Sequence, residues 1–337
     1  MQGHHISATA HIQSGVKLLR ETGCDQRNGM LQHQALGSKS YVDTYVLLDV
    51  IADIFSGLGT QVRLVIGGEN LKRYEVLFFA TAYDDLPLSF TSIQEAKNMF
   101  QYGRCLFNNS AAQSSSNLVQ DPPAVETLVR FQTLTLKFSL ALREFIKSNS
   151  LSFTPKEDIA VAVLQLHVLS GYISMHLGLL PSTRRPHWTE FITQFEEMIA
   201  LGEKIVASIS PGNSLRGQTT SYCLDLGFVI PIYSVAIQCR DPILRRKAIA
   251  LLRSTPRQEG LWNSVLIAKA AERIMEIEEG SSEETQSCTT RLDLEILPRV
   301  RPTLELDEKG GRLKYTQQGQ TNAAIHVVEE VFSWEAA

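Results

Sequence analysis

The chain has 337 residues, a net charge of −4 at pH 7, 44% hydrophobic residues and 20% charged residues. This composition is typical of a globular protein with a sizeable core, and it lacks the basic excess that marks most nucleic-acid-binding domains. The 5 cysteines are scattered without a CxxC pair, and no stretch approaches the roughly 20 uninterrupted apolar residues that a membrane span needs. The N-terminal residues also lack the apolar core of a signal peptide. We therefore expect an intracellular, soluble protein with reduced thiols.

The first half of the sequence predicts helices that are separated by polar loops. Ile12, Val16 and Leu19 recur at helical spacing and predict an N-terminal helix that continues until Gly23, and the strongly apolar stretch 41–55 predicts a buried helix. Ser92 and Glu95 have the spacing of a capping box, in which each side chain accepts a hydrogen bond from the other residue's backbone N–H. A helix is therefore expected to begin there. The polar residues 108–121 predict a surface loop.

The middle of the sequence continues this helical pattern. Thr154 and Glu157 form a second capping box, with Pro155 at the first helical position, where its missing N–H has no effect. Residues 187–209 carry aromatic and aliphatic side chains at the same helical spacing. Amphipathic helices joined by short loops predict an all-α fold, an antiparallel multi-helix array in which each helix buries its apolar stripe on its neighbours.

The stretch 228–263 has the most regular pattern in the chain. An apolar run at 228–237 ends at Cys239-Arg240, and Asp241-Pro242 has the signature of an N-cap followed by proline, which begins a second helix. That helix is expected to end at Pro256. The turn 258–260 then leads into a third helix, which Leu261 and Trp262 are predicted to open.

The character of the sequence changes near residue 276. Residues 276–287 are acidic and polar, which predicts a linker. The last 50 or so residues hold β-leaning pieces at 292–296, 313–316 and 325–332, which predict a small hairpin or an extended C-terminal tail over the helical body. We accordingly divide the chain into a helical domain at 1–279, an acidic linker at 280–291 and a C-terminal tail at 292–337.

A search for catalytic motifs gives no arrangement that predicts an enzyme. The sequence has no nucleophile elbow, no HExxH pair and no phosphate-binding loop. No cluster of metal-ligand residues has a convincing spacing either. We therefore predict no catalytic, metal or cofactor residues.

The densest group of charged residues lies in 239–262 and allows two interpretations. Its arginines suit an anion or an acidic partner, but they also suit a helix face that forms salt bridges to nearby carboxylates. The cysteine of this group is interpreted as a buried structural thiol and the tryptophan as a core anchor. The candidate partner-binding or structural residues are Cys239, Arg240, Asp241, Arg245, Arg246, Glu259 and Trp262.

These residues also carry a family resemblance. The run CRDP at 239–242, the paired arginines 245–246, the AIALL at 248–252 and the RQEGLW at 257–262 resemble the end of the regulatory domain in fungal binuclear zinc-cluster transcription factors. Residues 3–19 and 86–96 fit earlier parts of the same domain, in the same order. The resemblance implies an all-α regulatory module, fungal transcription regulation and a nuclear location.

The chain departs from that family at the DNA-binding part. Such regulators carry an N-terminal cluster of six cysteines that holds two zinc ions and places a helix in the major groove. This sequence has no such cluster and starts within the regulatory region, so the helical domain is expected to be incomplete at its N-terminus. We therefore carry over neither zinc nor direct sequence-specific DNA binding.

Three classes of function stay open from the sequence. The first is a regulatory domain that binds a protein partner or a small-molecule effector. The second is a non-catalytic interaction paralogue that lost its DNA-binding part. The third is an enzyme of specialised metabolism that uses a cavity between the helices. No membrane partner is expected, and self-association is left open.

Overall fold

The computed structural model describes residues 5–20, 22–24, 31–33, 51, 54–55, 57–58, 61, 88–101, 103, 122–179, 188–209, 221–223, 227–280, 303–306, 310–318 and 325–333. The helices are α1 (His5–Arg20), α2 (93–101), α3 (Pro122–Asn149), α4 (Pro155–Leu179), α5 (Ile192–Ile209), α6 (Val229–Gln238), α7 (Pro242–Ser254) and α8 (Ser264–Gly280). The strands are β1 (Thr22–Cys24), β2 (Leu31–His33), β3 (Ser221–Cys223), β4 (Arg257–Glu259), β5 (Trp262–Asn263), β6 (Thr303–Leu306), β7 (Gly310–Gln318) and β8 (Ile325–Ser333). The predicted all-α class is confirmed. In the part of the chain that is described, no helix combines the length and the apolar character needed to cross a membrane.

Some sequence predictions fall outside the described residues. Of the apolar stretch 41–55, only residues 51, 54 and 55 are described, and these three are helical. The predicted loop at 108–121 lies wholly outside. The predicted N-terminal helix is confirmed as α1, but it ends at Arg20 and not at Gly23, which lies in strand β1.

The two predicted capping boxes both begin helices. At α4, the Thr154 N–H donates to the Glu157 carboxylate at 2.8 Å, and the Glu157 N–H donates to the Thr154 hydroxyl at 3.3 Å. At α2, the Glu95 N–H donates to the Ser92 hydroxyl at 3.1 Å, as expected. The Glu95 carboxylate, however, accepts from the backbone N–H and the hydroxyl of Thr91, at 2.7 and 2.6 Å. The capping box of α2 therefore reaches one residue further back than predicted, to Thr91.

Helix α4 is the element on which the two main parts of the core meet. It is apolar on nearly every side, so it is buried between neighbours instead of facing water along one edge. Leu164 and Val168 pack with α2 and α3 in one hydrophobic cluster, and Leu166 and Ile173 pack with α5, α6, α7 and α8 in the larger cluster. One helix therefore joins both clusters.

The stretch 228–263 folds differently from the prediction at its end. Helices α6 and α7 form as expected, but the third helix begins at Ser264 and not at Leu261. The residues between form the short antiparallel pair β4–β5, and β3 pairs in parallel with β4. The turn of this hairpin contains Gly260 at φ = 55°, a left-handed conformation that favours glycine and interrupts a helix. Trp262 therefore lies in a strand.

The first residues of the acidic segment 276–287, which predicts a linker, are helical instead. Residues 276–280 belong to α8, and the side chain of Glu278 is buried. An acidic segment is expected to be solvated, but buried arginines hold this glutamate in the helix. The remaining residues of the predicted linker, 281–291, lie outside the described part.

The C-terminal strands form an antiparallel sheet in the order β6-β7-β8. The tail pieces predicted at 313–316 and 325–332 fall in β7 and β8, and the piece at 292–296 is not described. Leu313 of β7 is fully buried against Ile274 of α8, and Arg273 of α8 is 2.9 Å from Glu330 of β8. The sheet therefore packs on α8, while the division of the chain into separate domains stays a prediction.

Candidate functional site

Six of the seven candidate residues lie at or near the ends of helix α6. This helix is strongly apolar, and most of its side chains are buried at the centre of the larger cluster. Glu259 and Trp262 lie at its N-terminal end, and Cys239, Arg240, Asp241 and Arg245 lie at its C-terminal end. Arg246 points away to the surface of α7. The structure therefore does not bring the seven residues together in one pocket.

The N-terminal end of α6 is capped by a residue that is distant in sequence. Phe228 occupies the N-cap position and provides no side-chain hydrogen bond. Instead, the Glu259 carboxylate accepts the backbone N–H groups of Gly227, Phe228 and Val229 at 2.8, 3.2 and 3.1 Å. These N–H groups have no partner within the helix, and an anion is favourable at the positive end of its dipole. Glu259, which lies in the β4–β5 hairpin, therefore caps the N-terminus of α6.

Arg257 provides the positive charge that pairs with the Glu259 carboxylate. Arg257 Nε is 2.9 Å from Glu259 Oε1, and the Arg257 guanidinium lies 5.2 Å from the centre of the Phe228 ring. Burial raises the pKa of the Glu259 carboxyl, although Arg257 and the three backbone N–H groups oppose that increase. A side chain at Gly227 would overlap the carboxylate, so only glycine allows this close approach.

Trp262, in the same β4–β5 hairpin, packs against helix α6. Its ring is buried and lies 6.3 Å from the ring of Tyr233 on α6, between centroids. Burial raises the pKa of the Tyr233 hydroxyl above its ordinary value. The adjacent turn is held by Gln61, whose side-chain oxygen accepts the backbone N–H of Leu261 at 3.2 Å. Trp262 is therefore a core residue.

The C-terminal end of α6 carries a buried ionic group of three residues. Arg240 and Arg245 each place a guanidinium nitrogen 2.8 Å from Glu278 of α8, and each of the three side chains is at most 5% exposed. Arg245 Nε also donates to the backbone oxygen of Ala236 at 2.9 Å. Burial lowers the pKa of Arg240, and Glu278 opposes that change. This ionic group ties α6, α7 and α8 together at one corner.

Cys239 and Asp241 lie beside this group and shape the corner between α6 and α7. The Cys239 N–H donates to the Val235 oxygen at 3.0 Å, and its side chain is fully buried. Asp241 Oδ1 accepts the N–H groups of Ile243 and Leu244 at 2.9 and 3.1 Å, as an N-cap does. The N-cap prediction for Asp241 is confirmed.

Arg246 belongs to an exposed groove between α7 and α8. Its Nη2 donates to both carboxylate oxygens of Glu279, at 2.9 and 2.8 Å, and Arg253, about two turns further along α7, pairs with Glu272. The space between the two pairs has a volume of about 480 Å³ and is lined by Arg246, Ile249, Ala250, Arg253, Ser254, Glu272 and Met275. Exposed pairs of this kind contribute little to stability.

Sequence reasoning missed the most buried charge of the corner. Glu278 falls in the acidic segment 276–287, which is interpreted as a linker because its residues are polar and negative. The available signal was the excess of arginines in 240–246, since buried guanidinium groups require a carboxylate from elsewhere in the chain. Among the described residues, no three His, Cys, Asp or Glu side chains are placed to hold a metal ion.

Comparison with known proteins gives one informative similarity. No protein-family model matches the chain, and no solved structure matches it. The aspercryptin biosynthesis cluster-specific transcription regulator of Emericella nidulans is 29% identical to this chain over 116 residues. That segment covers 34% of this chain and 18% of the relative. The chain is thus weakly similar to a fungal transcription regulator, and it spans less than one fifth of that relative's length.

Proposed function

We propose that this chain is a regulatory domain of a fungal transcription-regulator-like protein, which acts by binding a protein partner or a small-molecule effector and not by catalysis. The similarity to a cluster-specific transcription regulator is the observation that carries this proposal. The binuclear zinc-cluster family, a nuclear location and a role in specialised metabolism are parts of the same proposal, since the relative's name connects it with a biosynthesis gene cluster.

The geometry of the candidate residues supports a scaffold role within that function. Glu259 neutralises the N-terminal end of α6, and Glu278 pairs with Arg240 and Arg245 at the other end. Arg240 and Arg245 thus hold α6, α7 and α8 together through Glu278, and Glu259 holds the β4–β5 hairpin to α6.

A reporter assay tests the regulatory role directly. The full chain is fused to an unrelated DNA-binding domain and expressed with a reporter gene that carries the matching site. We expect reporter transcription to differ from that of the DNA-binding domain alone at equal protein level, and the fusion to accumulate in the nucleus. An unchanged reporter with a folded, nuclear fusion would contradict the proposal.

Direct DNA binding gives a separate prediction. The chain has a net charge of −4 and no six-cysteine cluster, so we expect no sequence-specific shift of DNA in a gel assay with the purified protein. Weak electrostatic association fades steeply with salt, and a sequence-dependent shift that persists at about 200 mM salt would contradict this expectation.

A further inference from the structure

The β4–β5 hairpin, residues 257–263, provides the caps of two helices. Glu259 caps the N-terminus of α6, and the backbone of β4 pairs with β3, the strand that precedes α6. Asn263 caps the N-terminus of α8, because its Oδ1 accepts the Leu266 N–H at 2.9 Å. Both helices belong to the larger hydrophobic cluster. One short segment therefore determines how two helices of the core begin.

Hydrogen bonds within the hairpin connect its two capping residues. Gln258 Nε2 donates to the Gly260 backbone oxygen at 2.8 Å, and Gln258 Oε1 accepts from Asn263 Nδ2 at 3.3 Å. The Arg257 N–H donates to the Ser264 hydroxyl at 3.0 Å, so the first strand is also tied to the first residue of α8. The hairpin is therefore expected to move as one unit, and both caps are expected to move with it.

Gln61 holds the turn of this hairpin from a distant part of the chain. Its side chain is fully buried, and its amide oxygen accepts the Leu261 N–H at 3.2 Å, across 200 positions of the sequence. A side chain at Gly260 would overlap the Gln61 amide, so the two residues are in close contact. The helical residues before Gln61 that pack on the larger cluster are Ile51, Phe55 and Leu58. The contact therefore connects residues 51–61 with the turn.

The buried carboxylate of Glu259 gives the hairpin two discrete positions. In the docked position, this carboxylate accepts three backbone N–H groups and pairs with Arg257. A partial displacement would leave a charge in the core without these partners, which costs more than full exposure of the carboxylate to water. Release into water also allows water to replace both caps at the helix ends. The hairpin is therefore either docked or released.

From these contacts we infer that the β4–β5 hairpin is a conformational switch: Gln61 holds it in the docked position, and its release removes the caps of α6 and α8 together. A change in the position of residues 51–61 is thereby transmitted to two helices of the larger cluster. The switch is a property of the fold, and its test does not depend on the regulatory role proposed above.

Hydrogen exchange of single amides in the full-length protein tests the switch. Gln61→Met keeps a side chain of similar size but removes the acceptor of the Leu261 N–H. The diagnostic amides are those that the two caps protect, namely Gly227, Phe228, Val229 and Leu266. All four should exchange roughly five- to tenfold faster in the variant, and by the same factor, because one lost hydrogen bond shifts one shared opening equilibrium.

The N-terminus of α7 is the control, because its cap is formed locally. Asp241 accepts the N–H groups of Ile243 and Leu244 without the hairpin, so the exchange of these two amides should not change in Gln61→Met. Asp241→Ala should give the reverse result and accelerate only the amides of α7. Faster exchange of Leu261 alone in the Gln61 variant, or equal acceleration at α7, would overturn the inference.

Two further measurements cover the case in which Gln61→Met does not fold. Gly260→Ala places a methyl group where the Gln61 amide lies, so it should accelerate the same four amides. In the wild-type protein, exchange at low urea concentrations should give those four amides one opening free energy and one urea dependence, as expected of a cooperative unit. Different urea dependences for the amides of α6 and α8 would overturn the switch without any variant.

Discussion

At the residue scale, the notable feature is a helix with opposite buried charges at its two ends. Glu259 lies at the N-terminal end of α6, and Arg245 donates to one of its last backbone oxygens at the other end. A helix has a positive N-terminal pole and a negative C-terminal pole, so both charges are placed favourably. Each charge also has an ionic partner, which offsets part of the cost of removing it from water.

Glu278 and Glu279 provide a matched pair for testing the buried group. Glu278→Gln leaves two buried guanidinium groups without a counter-charge, and we expect a loss of about 3–5 kcal/mol in the free energy of unfolding. Glu279→Gln removes only an exposed partner of Arg246, so its loss should be about 1 kcal/mol or less. Urea unfolding followed by circular dichroism measures both. Equal losses in the two variants would show that Glu278 is not paired as described.

At the element scale, local capping determines where the helices begin. Asp241 caps α7, and the pairs Thr154–Glu157 and Thr91–Glu95 cap α4 and α2. Each cap is formed by residues close in sequence, which explains why these helix starts could be predicted. The start of α8 could not, because the hairpin before it depends on Gly260 and on its contact with Gln61.

Replacement of Asp241 tests the cap of α7. Asp241→Ala removes the acceptor of two backbone N–H groups, and we expect a loss of about 1 kcal/mol in stability. Asp241→Asn keeps a side-chain oxygen in the same position and should lose much less. Thermal unfolding of the two variants beside the wild type gives the comparison. Equal losses for Asn and Ala would mean that the charge, and not the side-chain acceptor of the cap, is important.

The capping boxes of α2 and α4 also predict a dependence of stability on pH. Hydrogen bonds from Thr91 hold the pKa of Glu95 below its ordinary value of 4.5, and those from Thr154 do the same for Glu157. A carboxyl with a lowered pKa in the folded state stabilises the protein above its unfolded pKa. This contribution is lost as the pH falls through the lowered, folded-state pKa.

The double variant Glu95→Gln/Glu157→Gln isolates this effect. It should be less stable than the wild type at neutral pH, and the difference should disappear as the pH falls below the two folded-state pKa values. Urea unfolding at a series of pH values gives the difference. Glu144→Gln, in the body of α3, serves as a control for removal of an exposed carboxylate. A difference that stays constant down to acidic pH would contradict the assignment.

At the scale of the whole molecule, α4 makes the two main clusters dependent on each other. Leu164 belongs to the cluster with α2 and α3, whereas Leu166, two residues away, belongs to the larger cluster. If α4 separated from either cluster, apolar surface of the other cluster would also be exposed to water. The C-terminal sheet joins the same body through Leu313 and Ile274.

This arrangement predicts one cooperative unfolding transition for both clusters. Phe138→Ala in the smaller cluster and Phe195→Ala in the larger one should each lower stability by about 3–5 kcal/mol. Both should shift the same transition in differential scanning calorimetry. Two transitions, of which each variant shifts only one, would show that the clusters unfold independently.

The sequence alone determined the features that depend on neighbours along the chain. Helical periodicity gave the all-α class, and the residue order at Asp241 and at Thr154 gave the helix starts, because caps are formed within one turn of the helix that they begin. Only the tertiary structure decided which charges are buried. Glu259 caps a helix that begins 30 residues earlier, and Glu278 pairs with Arg240 across 38 positions of the chain. Such pairs depend on how helices pack, and helix packing leaves no fixed spacing in the sequence.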